Sequence, residues 1–242
     1  MKTEILFGFH SVLEALRAQR RRINEIYTCK KDASPRFAEL IKLAESRKIS
    51  IQTVSAGHLK SISGSDFHQG IGARAEIYPQ SSFSEMLKKS DPFLLIADSI
   101  SDTHNLGALI RTALCAGADG VLIPKDRAAA PVPAVSRASA GALEHIFLMQ
   151  VTNLSNAIKE LRAKGLWIAG MAAQADRSIY ESDLRGSLAI VIGGEEKGIR
   201  PLVRKQCDFL MSIPQKGPVD SLNASVAGAV VMYEAYRQRG EC

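Results

Sequence analysis

The sequence predicts an α/β protein organised around a mainly parallel sheet. In residues 92–242, short apolar runs alternate with segments whose apolar residues have helical spacing. Strands that are apolar along their whole length are typical of a sheet covered by helices on both faces. The 242-residue chain is 46% hydrophobic and 23% charged, the composition of a globular protein with a substantial core.

Residues 1–78 are predicted to form a separate, smaller α/β domain. Helical spacing covers residues 10–18, and Pro35 occupies the favoured first turn of a second predicted helix. A helical turn or two is predicted at residues 56–62. The predicted strands are 25–29, 50–54 and 68–78.

Residues 79–91 are polar and contain Pro and Ser, so we predict a linker there. The larger domain then follows over residues 92–242. Its predicted strands are 93–98, 120–124, 146–151, 166–171, 188–194 and 209–214. Its predicted helices are 105–117, 132–144, 154–165, 200–207 and 221–237.

Ligands in folds of this kind bind beyond the carboxyl ends of the strands. Three polar segments occupy such positions, at residues 98–113, 192–198 and 213–223. None contains G-x-G-x-x-G or G-x-x-x-x-G-K-[ST], which argues against NAD or ATP enzymes of the usual kinds.

The last helix is predicted to begin at Asp220 or Ser221, where a short polar side chain can cap it. Ser221, Asn223 and Ser225 then crowd polar groups onto its first turn. A helix N-terminus behind a Gly/Pro loop can hold a polar ligand. The alternative is an ordinary, well-capped connection.

Other residues of the three segments also allow two interpretations. Asn105 is either a helix cap or part of a site. Arg111 is either a surface cation or a guanidinium held for a phosphate or a developing oxyanion. Gly193 and Gly194 allow close approach by a flat ligand, or else a plain tight turn.

The chain carries a formal charge of +6 and has a pI near 9.2. A basic cluster near the start is either a phosphate-binding patch or a solvated helix end. It consists of Arg17, Arg20, Arg21, Arg22, Lys30 and Lys31.

The four cysteines form no C-x-x-C pair, so we expect reduced thiols, mostly buried. The five scattered histidines support neither a metal site nor a Ser/His/Asp triad. No signal peptide and no apolar run of membrane-spanning length is present. We therefore expect a cytoplasmic protein without a membrane partner.

In this order, three segments resemble the motifs of the SpoU-type 2′-O-ribose RNA methyltransferases of the SPOUT class: NLGALIRTA, IVIGGEEKGI and IPQKGPVDSLNASVAGA. The segments GFHSVLEAL and FHQGI resemble the L30e-like RNA-binding domain of one branch of this family. Two departures are visible, since Glu196 stands where Gly is frequent and Thr103 where Pro is frequent.

The resemblance implies a C-terminal α/β trefoil-knot domain over residues 92–242 and an L30e-like domain over residues 1–78. Fold rules alone would reject a knot. The resemblance also implies a homodimer formed by the C-terminal domain, with an RNA site spanning both subunits. The implied reaction is methylation by S-adenosylmethionine of a guanosine ribose in the peptidyl-transferase P loop of 23S rRNA, without a metal.

The resemblance carries over to particular residues. It implies an adenosyl site at Met171, Gly193, Gly194, Ile213 and Leu222. It implies catalytic or orienting roles for Asn105, Arg111, Glu195, Ser221 and Asn223. Because a guanidinium is essentially always protonated, we interpret Arg111 as a cation that stabilises the developing alkoxide rather than as a base. RNA binding is expected at Arg17, Arg20, Arg21 and Arg22.

Two alternatives remain open from the sequence. One keeps the chemistry and changes the substrate to tRNA. The other is a non-catalytic rRNA-binding assembly factor with a relic methyltransferase domain, against which the intact Asn105, Arg111, Glu195 and Asn223 argue.

Overall fold

The computed structural model describes residues 2–29, 34–218 and 221–240. Within these, the elements in chain order are β1 (Thr3–Phe7), α1 (Phe9–Ala18), β2 (Ile23–Thr28), α2 (Pro35–Ser46), β3 (Ser50–Thr53), α3 (Ala56–Ser63), β4 (Ile71–Glu76), α4 (Phe83–Met86), β5 (Phe93–Asp98), α5 (Thr103–Cys115), β6 (Gly120–Pro124), α6 (Pro133–Ala138), β7 (Phe147–Val151), α7 (Leu154–Ala163), β8 (Trp167–Met171), β9 (Leu188–Gly193), α8 (Pro201–Arg204), β10 (Phe209–Met211) and α9 (Ala224–Gln238). Short 3-10 helices lie at Ala142–Glu144 and Ile179–Glu181.

The chain forms two compact units. Unit one comprises residues 1–79 and 131–145, and unit two comprises residues 80–130 and 146–242. The segment 131–145, which the sequence places within the larger domain, therefore packs in unit one.

Unit one contains a four-stranded sheet in the order β1-β4-β2-β3. Strand β4 is antiparallel to both β1 and β2, whereas β2 and β3 are parallel. Strand β1 was not predicted, since the sequence analysis assigned no strand to the first ten residues. Its Leu6 is fully buried in a core with Leu16, Ile26 and Leu40.

Unit two contains a six-stranded sheet in the order β10-β8-β9-β5-β6-β7, and every neighbouring pair is parallel. Strands β5, β6 and β9 are almost entirely buried, whereas β7, β8 and β10 are partly exposed. This confirms the predicted α/β fold class with a mainly parallel sheet. No helix in the described residues is long and apolar enough to cross a membrane.

A buried ion network fixes the segment 131–145 within unit one. The side chains of Arg21 and Glu144 are each 1% exposed, and Arg21 Nε donates to Glu144 Oε2 at 2.8 Å. Arg21 also donates to Glu4, and Ser136 donates to Glu144. Charges that far from water are stable only when they are paired and hydrogen-bonded.

The predicted linker packs on unit two. Helix α4 is closed by a capping box between Ser82 and Glu85, and Met86 is 1% exposed in the core of this unit. A Cβ on Gly120 would meet Met86 Cγ at 2.7 Å, so the glycine at the start of β6 makes room for this methionine.

Several predicted helix boundaries were wrong. Helix α5 begins at Thr103 and is capped by Asp102, so Asn105 lies inside the first turn instead of capping it. Helix α9 begins at Ala224 and is capped by Asn223, later than the predicted Ser221. Asp220, like Lys30, Lys31 and Cys242, lies outside the described residues.

The predicted helix 132–144 is divided into α6 and a 3-10 turn. Ala140 and Gly141 adopt left-handed backbone conformations, with φ of 52° and 84°, which ends the helix between the two parts. A Cβ on Gly141 would lie 2.6 Å from Glu14 Cβ, so close packing also requires glycine here.

We expect Arg21→Met to destabilise the protein by about 3–5 kcal/mol, because it leaves Glu144 and Glu4 without their buried cation. Arg22→Met is the matched control, since Arg22 is the exposed neighbour and its loss should cost less than about 0.5 kcal/mol. Urea unfolding of the full chain measures both changes. Equal unfolding midpoints for the two variants would show that the buried network does not hold unit one together.

Candidate functional site

Side chains from all three motif segments meet at the carboxyl edge of the parallel sheet in unit two. Asn105 comes from the first turn of α5, Glu195 follows β9, and Asn223 caps α9. Asn105 Nδ2 donates to Glu195 Oε1 at 2.7 Å, and Asn223 Nδ2 donates to Asn105 Oδ1 at 3.0 Å. Asn223 Nδ2 also donates to Glu195 Oε1, so the three side chains close a triangle.

The cap of α9 fixes the orientation of this triangle. Asn223 Oδ1 accepts from the backbone amides of Ser225 at 2.9 Å and Val226 at 3.3 Å. It also accepts from Ser225 Oγ at 2.6 Å. Because the oxygen satisfies the helix start, the amide nitrogen must point towards Glu195. Asn223, which was predicted to lie in the first turn of the last helix, therefore caps that helix and belongs to the candidate site.

One cleft, of about 230 Å³, lies beside this triangle. All five residues predicted to bind the cofactor line it: Met171, Gly193, Gly194, Ile213 and Leu222. Glu195 and Ser221 line it as well. Its lining is mainly apolar with a few polar groups, which is the usual character of a small-molecule site.

A second cleft, of about 430 Å³, shares Gly194, Glu195 and Gly198 with the first. It is more polar, and its charged lining residues are Asp102, Arg127, Glu195, Glu196, Lys197 and Arg200. Asn105 also faces it. The triangle therefore stands between two cavities of different chemistry.

Two lining residues of the second cleft have unusual backbones. Ser99 and Arg127 adopt left-handed conformations with φ of 62° and 58°. Side chains other than glycine rarely adopt this region, and residues that do so are concentrated at functional sites. The sequence analysis missed Arg127, although its place directly after the apolar run of β6 was a usable signal.

Asp98 anchors the loop that carries Glu195. It lies at the end of β5, is fully buried, and accepts from Arg200 Nε at 2.7 Å and from the Arg200 amide at 2.8 Å. Within the loop that joins β9 to Arg200, the amide of Gly198 donates to the carbonyl oxygen of Gly194 at 2.9 Å, which closes a tight turn. Glu196 lies exposed in that turn.

Of the two interpretations of Gly193 and Gly194, the contacts within this chain support the tight turn. A Cβ on Gly193 would lie 2.1 Å from the carbonyl carbon of Gly198, and a Cβ on Gly194 would lie 2.7 Å from the carbonyl oxygen of Ser99. Both contacts are with the protein's own backbone. The glycines are therefore required for the packing of the loop, whether or not a ligand approaches them.

Arg111 does not join the triangle within this chain. It follows Asn105 by six residues on α5, a rise of about 9 Å and a rotation of about 240°. It is exposed and makes no hydrogen bond or ion pair with any residue that the structure describes. It also lies outside the lining of both clefts.

The four arginines predicted to bind RNA have different environments in unit one. Arg17 pairs with Glu14 at 2.6 Å and Glu39 at 2.7 Å, and Arg21 is buried in its ion network. Arg20 donates to Tyr78 at 3.0 Å, and burial raises the pKa of Tyr78 to about 12. Arg22 is exposed.

A groove of about 540 Å³ in unit one collects cations from two elements. Arg20 and Arg22 line it together with Arg47 and Lys48. The sequence analysis did not include Arg47 and Lys48, because they follow α2 and are distant from the N-terminal cluster in the sequence.

The described residues contain no group of histidine, cysteine and acidic side chains that could hold a metal ion. The candidate site therefore consists of the triangle, the two clefts that meet at it and the cationic groove of unit one.

Sequence profiles of two families match the chain. Residues 92–233 match the SpoU rRNA Methylase family, and residues 5–81 match the family described as RNA 2′-O ribose methyltransferase substrate binding. The 23S rRNA (guanosine-2′-O-)-methyltransferase RlmB of Shewanella oneidensis is 43% identical over 98% of both chains. The protein of the same name from Escherichia coli K12 is 39% identical over 98% of this chain and 99% of its own.

Solved structures have the same fold. The SpoU methyltransferase AviRb from Streptomyces viridochromogenes, in complex with the cofactor AdoMet, superposes with a TM-score of 0.83 at 22% identity, over 99% of this chain and 92% of that one. An RNA 2′-O ribose methyltransferase superposes with a TM-score of 0.82 at 26% identity, over 98% of this chain and 88% of that one.

We expect Gly193→Ala to lower the melting temperature and to disturb the first cleft, at a cost of about 1–3 kcal/mol. The added methyl group clashes with backbone atoms, which cannot rotate away. Gly57→Ala is the control, because a Cβ there meets nothing within 4 Å. Thermal unfolding of both variants measures the effect, and a Gly193→Ala protein that melts like the parent contradicts it.

Proposed function

The chain belongs to the SpoU rRNA methylase family, and from this premise we propose that it methylates the ribose 2′-hydroxyl of a guanosine in 23S rRNA, with S-adenosylmethionine as the methyl donor. The observation that carries the proposal is the triangle of Asn105, Glu195 and Asn223. It stands between an apolar cleft and a more polar cleft that is lined by charges of both signs. Such a boundary is where a methyl group could pass from a donor to an acceptor.

The first cleft is the proposed site of S-adenosylmethionine. Met171, Ile213 and Leu222 offer apolar surface for the adenine and ribose, and backbone groups at Gly193 and Gly194 offer hydrogen bonds to the base edge. Ser221 lies at the mouth of the cleft, ahead of the cap of α9, where free amide groups favour a polar ligand.

The second cleft is the proposed site of the target nucleotide. Its cations, Arg127, Lys197 and Arg200, suit the phosphates on either side of that nucleotide. Arg200 is already fixed by its ion pair with Asp98, so its terminal N–H donors are positioned without a further loss of side-chain freedom. Asn105 and Glu195, which face this cleft, would orient the ribose.

The reaction forms a bond between the methyl carbon and the ribose oxygen while the bond from that carbon to the sulfonium breaks. The hydroxyl proton passes to solvent water, and S-adenosylhomocysteine is the second product. Because the oxygen gains negative charge before the methyl group arrives, a nearby cation lowers the barrier. We assign that role to Arg111, which stays protonated.

Because Arg111 lies outside both clefts of its own chain, we propose that a homodimer of unit two completes the site. Val226 and Tyr233 support this, since they are 48% and 50% exposed and lie two turns apart on one face of α9. A Cβ on Gly228 would lie 2.3 Å from Leu109, so Gly228 permits close packing of α9 on α5 within the chain.

Unit one is the proposed holder of the RNA. Its cationic groove presents Arg20, Arg22, Arg47 and Lys48, and such residues give salt-dependent contacts to phosphates. Arg17 could bind an RNA phosphate if it gave up its surface ion pairs. Arg21 could bind one only by leaving its buried ion network. We further propose a division of labour, with RNA choice in unit one, which contains residues 1–78 and 131–145, and chemistry in unit two.

Three finer features of the proposal follow from the family. Unit two is proposed to contain the trefoil knot, and the modified guanosine is proposed to lie in the peptidyl-transferase P loop. Because the substrate is rRNA, the enzyme is proposed to act in the cytoplasm.

Mass-spectrometric mapping of 2′-O-methyl groups on rRNA tests the function directly. A strain that lacks this protein should lose one mark on a 23S rRNA guanosine. The parent gene should restore it, and Asn105→Ala should not. Loss of a 2′-O-methyl group from tRNA instead would show that tRNA is the substrate. A complete set of marks, together with no binding of S-adenosylmethionine in calorimetry, would indicate a non-catalytic assembly factor.

We expect Arg111→Ala to reduce methyl transfer by about 100- to 1000-fold, the usual cost of removing one group that stabilises developing charge. Binding of S-adenosylmethionine should stay within about twofold, because Arg111 does not line the first cleft. Arg204→Ala is the control, since Arg204 is an exposed arginine on α8 and outside both clefts. Near-normal turnover by the Arg111 variant would rule out its proposed role.

We expect light scattering of the full chain to give twice the chain mass, and Tyr233→Glu to give a single chain mass. A charge placed on a buried apolar contact is strongly unfavourable. Tyr180→Glu is the control, because Tyr180 is 61% exposed and lies outside α9. A parent chain that is monomeric at micromolar concentration would contradict the dimer.

A further inference from the structure

A loop of unit one holds an aromatic side chain out into solvent. Phe67 is 65% exposed, although the loop around it is firmly hydrogen-bonded. The Phe67 amide donates to Ser65 Oγ at 3.1 Å, and the Gly70 amide donates to His68 Nδ1 at 3.0 Å. The Gln69 side chain accepts from the Phe9 amide at 3.0 Å and so ties the loop to α1. An aromatic ring in this position contributes little to the core.

Arg137 covers one face of this ring. Its guanidinium carbon lies 4.8 Å from the ring centroid, and its Nε donates to the Phe67 carbonyl oxygen at 3.1 Å. Arg137 belongs to α6, which packs on β1 within unit one. A ring that is 65% exposed with one face under a guanidinium has its other face open to solvent.

The charges around the ring favour a nucleic acid. Asp66, the carboxylate next to Phe67, is paired with Lys60 at 2.7 Å, so its negative charge is balanced. The Arg137 guanidinium is not paired with a carboxylate in the described residues, since its hydrogen bond goes to a backbone carbonyl. An open aromatic face beside a cation with spare donors suits a base and its phosphate.

We propose that Phe67 and Arg137 form a stacking platform for one unpaired base of the RNA substrate, an inference that rests on the proposed function. Proteins recognise single-stranded RNA by stacking splayed bases on aromatic rings and on guanidinium planes. The base would lie on the open face of Phe67, and Arg137 would reach the adjoining phosphate. Such a platform tolerates any base, so it holds an unpaired loop without reading its sequence.

The platform joins two parts of the chain that lie far apart in the sequence. Phe67 belongs to the region that matches the substrate-binding family, whereas Arg137 belongs to the region that matches the methylase family. Only the packing of α6 within unit one brings them together. The platform is therefore absent from any fragment that ends before α6.

The first test uses the full chain and a ten-nucleotide single strand of adenosines. Phe67→Ala should weaken binding of this probe by about 5- to 150-fold, the effect of losing one base–aromatic stack. Phe67→Tyr should bind within about threefold of the parent, because a ring remains. Ile77→Ala is the control and should bind like the parent, since Ile77 is another exposed apolar side chain of unit one, 50% exposed. Arg137→Gln should reduce the slope of log affinity against log salt by about one.

The second test observes the stack itself. The chain has a single tryptophan, Trp167, so a Trp167→Phe, Phe67→Trp variant reports only from the platform. Addition of the adenosine probe should quench its fluorescence, and addition of a ten-base-pair RNA duplex should not.

Equal binding of the probe by parent and Phe67→Ala, or an unquenched tryptophan, overturns the platform. A halved mass of Phe67→Ala in light scattering also overturns it, since the ring would then be a contact between protein chains. Failure of the proposed function has a separate signature, because the parent would then neither bind S-adenosylmethionine nor transfer its methyl group to 23S rRNA. Binding of the adenosine probe is measured without the methyl donor. It therefore tests the stacking platform whether or not the proposed methyl transfer occurs.

Discussion

The candidate site depends on the hydrogen bonds made by the side chain of Asn223. Its oxygen satisfies the free amides at the start of α9, and its nitrogen binds Asn105 and Glu195. One side chain thereby fixes the helix that packs on α5 and the polar triangle between the two clefts. An alanine at this position could serve neither purpose. The amide has two N–H donors on one atom and an acceptor on another, whereas a serine hydroxyl has one donor and an ionised aspartate has none.

The loop between Gly194 and Arg200 is positioned by contacts that lie beneath the site. Asp98 holds Arg200 at one end, and the backbone of Ser99 leaves no room for a side chain on Gly194 at the other. These contacts are with the protein itself, so the geometry at Glu195 is set before any ligand binds. Preorganised polar groups lose little free energy when charge develops beside them.

The division of the chain into units does not follow the sequence. Residues 131–145 lie within the stretch that matches the methylase family, yet they complete the core of unit one through Glu144 and α6. A cut near residue 91 would therefore expose a buried carboxylate together with its apolar surroundings. Changes of single side chains in the full chain are the more reliable way to separate RNA binding from chemistry.

The fold class and the family could be predicted from the sequence, which also named Asn105, Glu195 and Asn223 as candidate site residues. Apolar strands and helical spacing are local patterns, and the three motifs lie in continuous stretches, so both are readable without a structure. The caps, the burial of each arginine and the lining of the clefts became known only from the tertiary structure. Asn223 rather than Ser221 caps α9. Arg21 is buried, whereas its neighbour Arg22 is exposed. Arg47 lines the cationic groove of unit one. Each of these depends on contacts between residues far apart in the chain, and no periodicity or spacing records such contacts. For the same reason Arg127 and Arg137 acquire their neighbours only when the chain folds.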